Sequence, residues 1–130
     1  MNHVPDEIVR LVSSEPLMAH LATCSDGRPH VAPVWFDYHE EDESIELLTA
    51  GRKLENIGEN PRVSLSIQKD VDGDAQWRVT MLGTATVIES EDAIREATSR
   101  INEKYDAGDE SWPENKLVRI SIGTATSEVY

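Results

Sequence analysis

The sequence is poor in the residues that most often carry chemistry. Cys24 is the one cysteine in 130 residues, which excludes an internal disulfide and a multi-cysteine metal site. Its strand-like neighbours predict a small buried hydrophobe rather than a reactive thiol. Phenylalanine occurs once against three tryptophans, so Trp35, Trp77 and Trp112 stand out, although core or interface positions are the usual place for such rings. No apolar run approaches the roughly 20 residues of a membrane span. The opening "MNHVPDEIVRLV" lacks the basic start of a signal peptide, and Asp6, Glu7 and Arg10 interrupt its apolar residues. A cytoplasmic location is expected. GxGxxG, P-loop, HExxH, CxxC and G-x-S-x-G motifs are all missing.

Basic residues are scarce too. Twelve stand against 25 acids, for a net charge of −13, and only four of the twelve are lysines. A surface of that sign repels nucleic acid and anionic membranes and excludes a general polyanion-binding role. The high acidity with little lysine is similar to that of proteins from salt-loving organisms, a statement about habitat rather than activity. With 38% apolar and 28% charged residues, the chain is globular, and its length suits one domain spanning residues 1–130.

Pro5, Asp6 and Glu7 suit a helix start, and Ile8, Leu11 and Val12 repeat at helical spacing, predicting a short helix over about residues 5–13. "PLMAHLATCSDGRPHVAPVWFDYHE" reads as two strands joined at Asp26-Gly27. Both look apolar on two faces, as strands between packed layers do. "SIELLTA" is a third strand, and "RKLENIGEN" a short helix with Leu54 and Ile57 inward, stopped at Asn60-Pro61. In "RVSLSIQ", Val63, Leu65 and Ile67 face one way. "DVDGD" departs from a calcium loop, with a misplaced glycine and no closing glutamate, and predicts a hairpin turn into a long strand. Ser90 caps a third, longer helix with Ile94, Ala97, Ile101 and Tyr105 on its buried stripe. "GTAT" at Gly83 and again at Gly123 marks two strands that bend at glycine. The links are hairpin-like, so a mainly β, mostly antiparallel barrel with peripheral helices is expected.

Two features point to a ligand. Arg52 and Lys53 lie where the helix after the third strand begins, an unfavourable place for cations beside the positive end of the helix dipole. Either they pair with acids such as Glu55 or Glu59, or they join Thr49 and free backbone N–H groups in holding an anion such as phosphate. Pro33, inside an apolar strand, cannot donate to a ladder, so Ala32 to Trp35 is an edge or bulged segment whose backbone a planar ligand could use. His20 and His30 could meet across the first hairpin as a haem or metal site, but scattered histidines are ordinarily structural. No metal site is expected.

"HLATCSDGRPHVAPVWFDY", "LLTAGRKLENIGENPRVSLSI" and "WRVTMLGTATVIE" together resemble, in order, the pyridoxamine 5′-phosphate oxidase-like FMN-binding split-barrel family. The similarity runs from about Met18 to Glu89. It implies a split barrel and a homodimer with cofactors in grooves between subunits. It also implies that Arg52 and Lys53 hold the cofactor phosphate with help from Thr49. On the same grounds Val31, Ala32, Pro33 and Val34 run beside the flavin ring, and Arg78 stands where some members carry a flavin-contacting glutamine. Pyridoxamine phosphate oxidases proper have a longer, basic C-terminal part, and they place an arginine where this chain has Val31. Vitamin B6 oxidation is therefore not expected. "PHVAPVWF" is similar to relatives that use the deazaflavin coenzyme F-420, which shares the ribityl phosphate of FMN. The expectation is an FMN-dependent oxidoreductase acting on a small molecule, with F-420-dependent reduction or a non-catalytic flavin or haem carrier as alternatives.

Overall fold

A computed structural model describes residues 3–108 and 114–130. Among them the chain forms three helices and seven strands: α1 (Asp6–Val12), β1 (Ala19–Ser25), β2 (Arg28–Val34), β3 (Asp37–His39), β4 (Ser44–Thr49), α2 (Gly51–Glu59), β5 (Arg62–Val71), β6 (Asp74–Ile88), α3 (Glu91–Lys104) and β7 (Lys116–Val129). All strands pair antiparallel, in the order β2-β1-β5-β6-β7-β4-β3. β2 and β3 lie at opposite ends of that order, yet only Trp35 and Phe36 separate them in the chain. The sheet therefore curls on itself as a split barrel. No described helix is long and apolar enough to cross a membrane.

The hairpins follow local chemistry. Asp26 and Gly27 have φ of 52° and 73°, and Asp72 and Gly73 have 51° and 86°. Positive φ at both central residues is what tight two-residue hairpins require. α2 ends at Asn60, which is extended (φ −142°, ψ 106°) because the proline that follows disfavours the helical region. The Ser90 hydroxyl accepts from Ala93 N at 3.3 Å and caps α3. Pro5 precedes the first turn of α1 rather than opening it.

Inward positions of every strand but β3 build one core: Ala19 and Leu21, Val34, Ile45 and Leu47, Val63, Leu65 and Ile67, Trp77, Val79 and Met81, and Val118, Ile120 and Ile122. Phe36, the sole phenylalanine, is fully buried among them. The two "GTAT" glycines meet. The β6–β7 register jumps from Leu82↔Thr124 to Gly83↔Ile122, leaving Gly123 as the extra residue of a bulge. A Cβ on Gly83 would stand 2.6 Å from the Ser121 carbonyl oxygen and 2.7 Å from Ile120 Cγ2, so glycine is required there.

Four details differ from the sequence expectations. β3 is an additional strand, too short to show alternation. β2 is not covered on both faces: Val31 is 64% exposed, because no described element packs on that side. Cys24 lies on the same outer side, paired with Pro29, and is only half-buried. His20 and His30 cannot meet, since Thr23, the ladder partner of His30, is buried inward while His20 is exposed on the outer face. Trp112 lies outside the described residues.

Candidate functional site

A cleft of about 1020 Å³ opens between the end of β2, the β4–α2 turn, the inner side of α3 and the start of β7. Pro33, Val34 and Trp35 form one side of it, and Thr49, Ala50, Lys53 and Lys116 another. Gly51 makes the turn possible: its φ of 71° suits glycine, and it swings the chain directly from strand into helix. Ala50 offers no capping side chain and no acid occupies the first turn of α2, so that helix start is left open to an outside anion.

Of the residues singled out by sequence, the structure brings Pro33, Val34, Thr49 and Lys53 together on this cleft. Arg52 is not part of the lining; its guanidinium is exposed and lies 4.0 Å from Glu55. Consecutive helix positions point about 100° apart, so two adjacent cations do not share one face. Val31 and Ala32 also lie off the cleft of their own chain. Arg78, on β6, pairs with Glu128 of β7 at 3.1 Å, on the outer side of the sheet.

Lys116 was not singled out by sequence, and Trp35 only as the end of the Ala32–Trp35 edge segment. Lys116 is the ladder partner of Thr49, a neighbour supplied by a strand 67 positions away in the chain. Trp35 lies on the wall, 40% exposed, with its ring stacked on Tyr105. The charged residues of the lining are Lys53, Arg95 and Lys116 against Glu89 and Glu91. In a chain of net charge −13, the described residues around this cleft thus include more cations than anions. No histidine is among the lining residues, and no described cluster of His, Cys, Asp and Glu could hold a metal ion.

Behind α3 lies a polar network that positions this wall. Glu46, 2% exposed, accepts from Arg100 at 2.9 Å, from Arg119 at 2.9 and 2.7 Å, and lies 2.8 Å from His39 Nε2. Burial alone would raise its pKa, but the Arg100 and Arg119 hydrogen bonds outweigh that and hold the carboxyl below its ordinary range. Arg100 also donates to Asp37 at 2.8 Å, so α3, β3, β4 and β7 are tied at one point. Near the C-terminal end of α3, Lys104 donates to the Phe36 carbonyl at 2.7 Å and sits 4.0 Å above the Phe36 ring. Desolvation lowers the pKa of that lysine, with Asp37 opposing.

The sequence profile described as pyridoxamine 5′-phosphate oxidase matches residues 4–126, nearly the whole chain. The chain belongs to this family. Solved structures agree on the fold. An FAD-binding protein from Mesorhizobium loti superposes with a TM-score of 0.77 at 21% identity, covering 95% of this chain and 93% of the other. An F420 reductase gives 0.72 at 21% identity, over 90% and 94%. A haem storage protein from Vibrio cholerae gives 0.74 at 22% identity, over 99% and 95%. At such identities the likeness speaks for the fold and not for a shared ligand. No curated protein matches the chain.

Proposed function

We propose that this family member is a flavin-dependent oxidoreductase that binds FMN in the Pro33–Lys53 cleft at a homodimer interface and passes hydride to or from a small molecule. The observation that carries the reading is the meeting of Thr49, Lys53 and Lys116 with Pro33 and Val34 on one cleft richer in cations than in anions. A molecule with a planar ring and a phosphate fits that division. Lys53, Thr49 and the open α2 start would hold the phosphate, with Arg52 close by, while the β2 edge, where Pro33 gives no N–H to a ladder, would lie beside the ring. When bound, the flavin supplies the hydride chemistry; the protein fixes its orientation and shapes the space for substrate.

The outer side of the sheet supports the dimer. Val31, Ala22, Ser64, Leu82 and Thr124 form one continuous cross-strand row, and Pro33, His20, Ser66, Thr80 and Thr126 form the next. Neither row holds an acid, and Val31 and Leu82 are 64% and 52% exposed. Two adjacent rows without a carboxylate, on so acidic a protein, suit a second copy of itself. Val31, Ala32 and Arg78 lie away from the cleft of their own chain, so their part in the site would be played across that interface.

Coenzyme F-420 is the second reading, since it carries the same ribityl phosphate and an F420 reductase shares the fold. Glu89 and Glu91 on the cleft disfavour its polyglutamyl tail, which makes FMN the first choice. A haem carrier is less favoured, because no histidine lines the cleft.

The test is titration of the purified protein with FMN and, separately, coenzyme F-420, followed by visible absorption. Saturable binding of FMN is expected. In the double variant Arg52→Ala, Lys53→Ala, affinity falls at least about tenfold with the dimer intact, in line with loss of the Lys53 charge-assisted contact. Unchanged affinity in that variant would remove the phosphate site from the proposal. Turnover with a reduced nicotinamide separates an enzyme from a carrier.

A further inference from the structure

Trp35 follows β2 on the cleft wall and is 40% exposed. One face of its indole lies on the Tyr105 ring, with centroids 4.7 Å apart and planes 8° from parallel. Tyr105 is itself fixed. Its hydroxyl donates to the Leu17 carbonyl at 2.6 Å and accepts from Phe36 N at 3.1 Å. Phe36, the next residue, is fully buried and has its carbonyl held by Lys104. The indole is thus clamped from behind and from its own backbone. A large aromatic surface held this rigidly on a cleft wall has lost most of its side-chain freedom in advance, so a ring that stacks on it meets little entropic cost.

The geometry points to Trp35 as the stacking platform of the cleft, taking a planar heteroaromatic ring on the face turned away from Tyr105. Tyr105 acts as a positioning residue that holds the indole through Leu17 and Phe36. This deepens the flavin proposal, which supplies such a ring, and the platform serves any fused planar heterocycle of similar size. It also assigns a direction to the cleft: ring toward Trp35, anion toward Thr49, Lys53 and Lys116.

The experiment titrates wild-type protein and variants with FMN and with lumichrome, the tricyclic ring without its ribityl phosphate, reading Kd and the fluorescence of the bound ring. Trp35→Leu keeps apolar bulk without an aromatic face, and Trp35→Phe keeps a smaller ring. Loss of one stacked aromatic is expected to weaken both ligands at least about tenfold in Trp35→Leu, while Trp35→Phe stays within about threefold of wild type. Quenching of the bound ring falls in Trp35→Leu. Tyr105→Phe, which frees the pair from Leu17 and Phe36, reduces that quenching with the fold unchanged.

Equal affinity and quenching in wild type and Trp35→Leu overturn the platform and leave the flavin proposal standing. Dissociation of the Trp35→Leu dimer with unchanged affinity also overturns it, and makes Trp35 a contact between copies. Trp35-dependent binding of lumichrome without any binding of FMN supports the platform and removes the phosphate site. Failure of both ligands on wild type overturns both proposals.

Discussion

The outer side of the sheet has two halves that meet solvent in opposite ways. Over β3, β4 and the first half of β7, α3 covers the strands, and the helix is secured by a buried carboxylate with two arginines and a histidine around it. Over β2, β1, β5 and the rest of β6 and β7, no described element covers the strands, and the two central exposed rows hold neutral residues, Val31 and Leu82 among them, with the Arg78–Glu128 pair beyond them. A protein with 25 acids could readily have placed some of them in those two rows. The covered half uses charge because its partner is built in and can satisfy every hydrogen bond. On the proposed dimer, the absence of charge from those two rows has a reason: like charges facing their own copies would repel.

The largest expected effect lies in the covered half. Glu46→Ala leaves Arg100 and Arg119 without their shared carboxylate and should cost about 3 kcal/mol in urea unfolding, the low end for a broken buried ion pair, since both arginines remain partly solvated. Acid acts on the same group. Because the folded-state pKa of Glu46 is depressed, its stabilisation is complete above the ordinary carboxylate range and is lost as pH falls through the folded value. Glu46→Gln should flatten that part of the stability–pH curve, and a curve identical to wild type would show that α3 is held by packing alone.

At the boundary between the halves stands the bulge. Gly83→Ala forces a Cβ against the Ser121 carbonyl and is expected to cost about 2 kcal/mol, measured by the same unfolding transition. A loss under about 0.5 kcal/mol would mean that the bulge relaxes freely and the two halves are not mechanically separate. The smallest effect belongs to the bare half. Leu82→Glu should weaken self-association about tenfold, or about 1.4 kcal/mol, in sedimentation experiments, with monomer stability little changed. Undiminished association would move the interface elsewhere and erase the contrast.

What could be read from sequence was what neighbours in sequence decide. The Asp26-Gly27 and Asp72-Gly73 turns, the Asn60-Pro61 stop, the Ser90 cap and the Val63–Ile67 alternation depend on a few adjacent residues, and the structure has them. The family was legible for the same reason, since its motifs are contiguous. The cleft was only half legible. Thr49, Lys53, Pro33 and Val34 came from local anomalies, whereas Lys116 and Tyr105 reach the site through the ladder and a helix end far along the chain. Arg52 illustrates the limit from the other side: adjacency made it look like a partner of Lys53, and helical rotation turned it toward Glu55. β2 looked doubly covered because apolar content alone cannot say whether the second layer belongs to the same chain.

The two-residue link at Trp35 and Phe36 has a mechanical consequence. It joins the first and last strands of the sheet order, so the split in the barrel has a fixed width at that point, like a ring closed by a single rivet. Phe36 anchors the rivet in the core and Trp35 is its exposed head. A molecule seated on that head would load both margins of the sheet at once. Amide exchange in β2 and β3, at opposite ends of the strand order, should then slow together on binding.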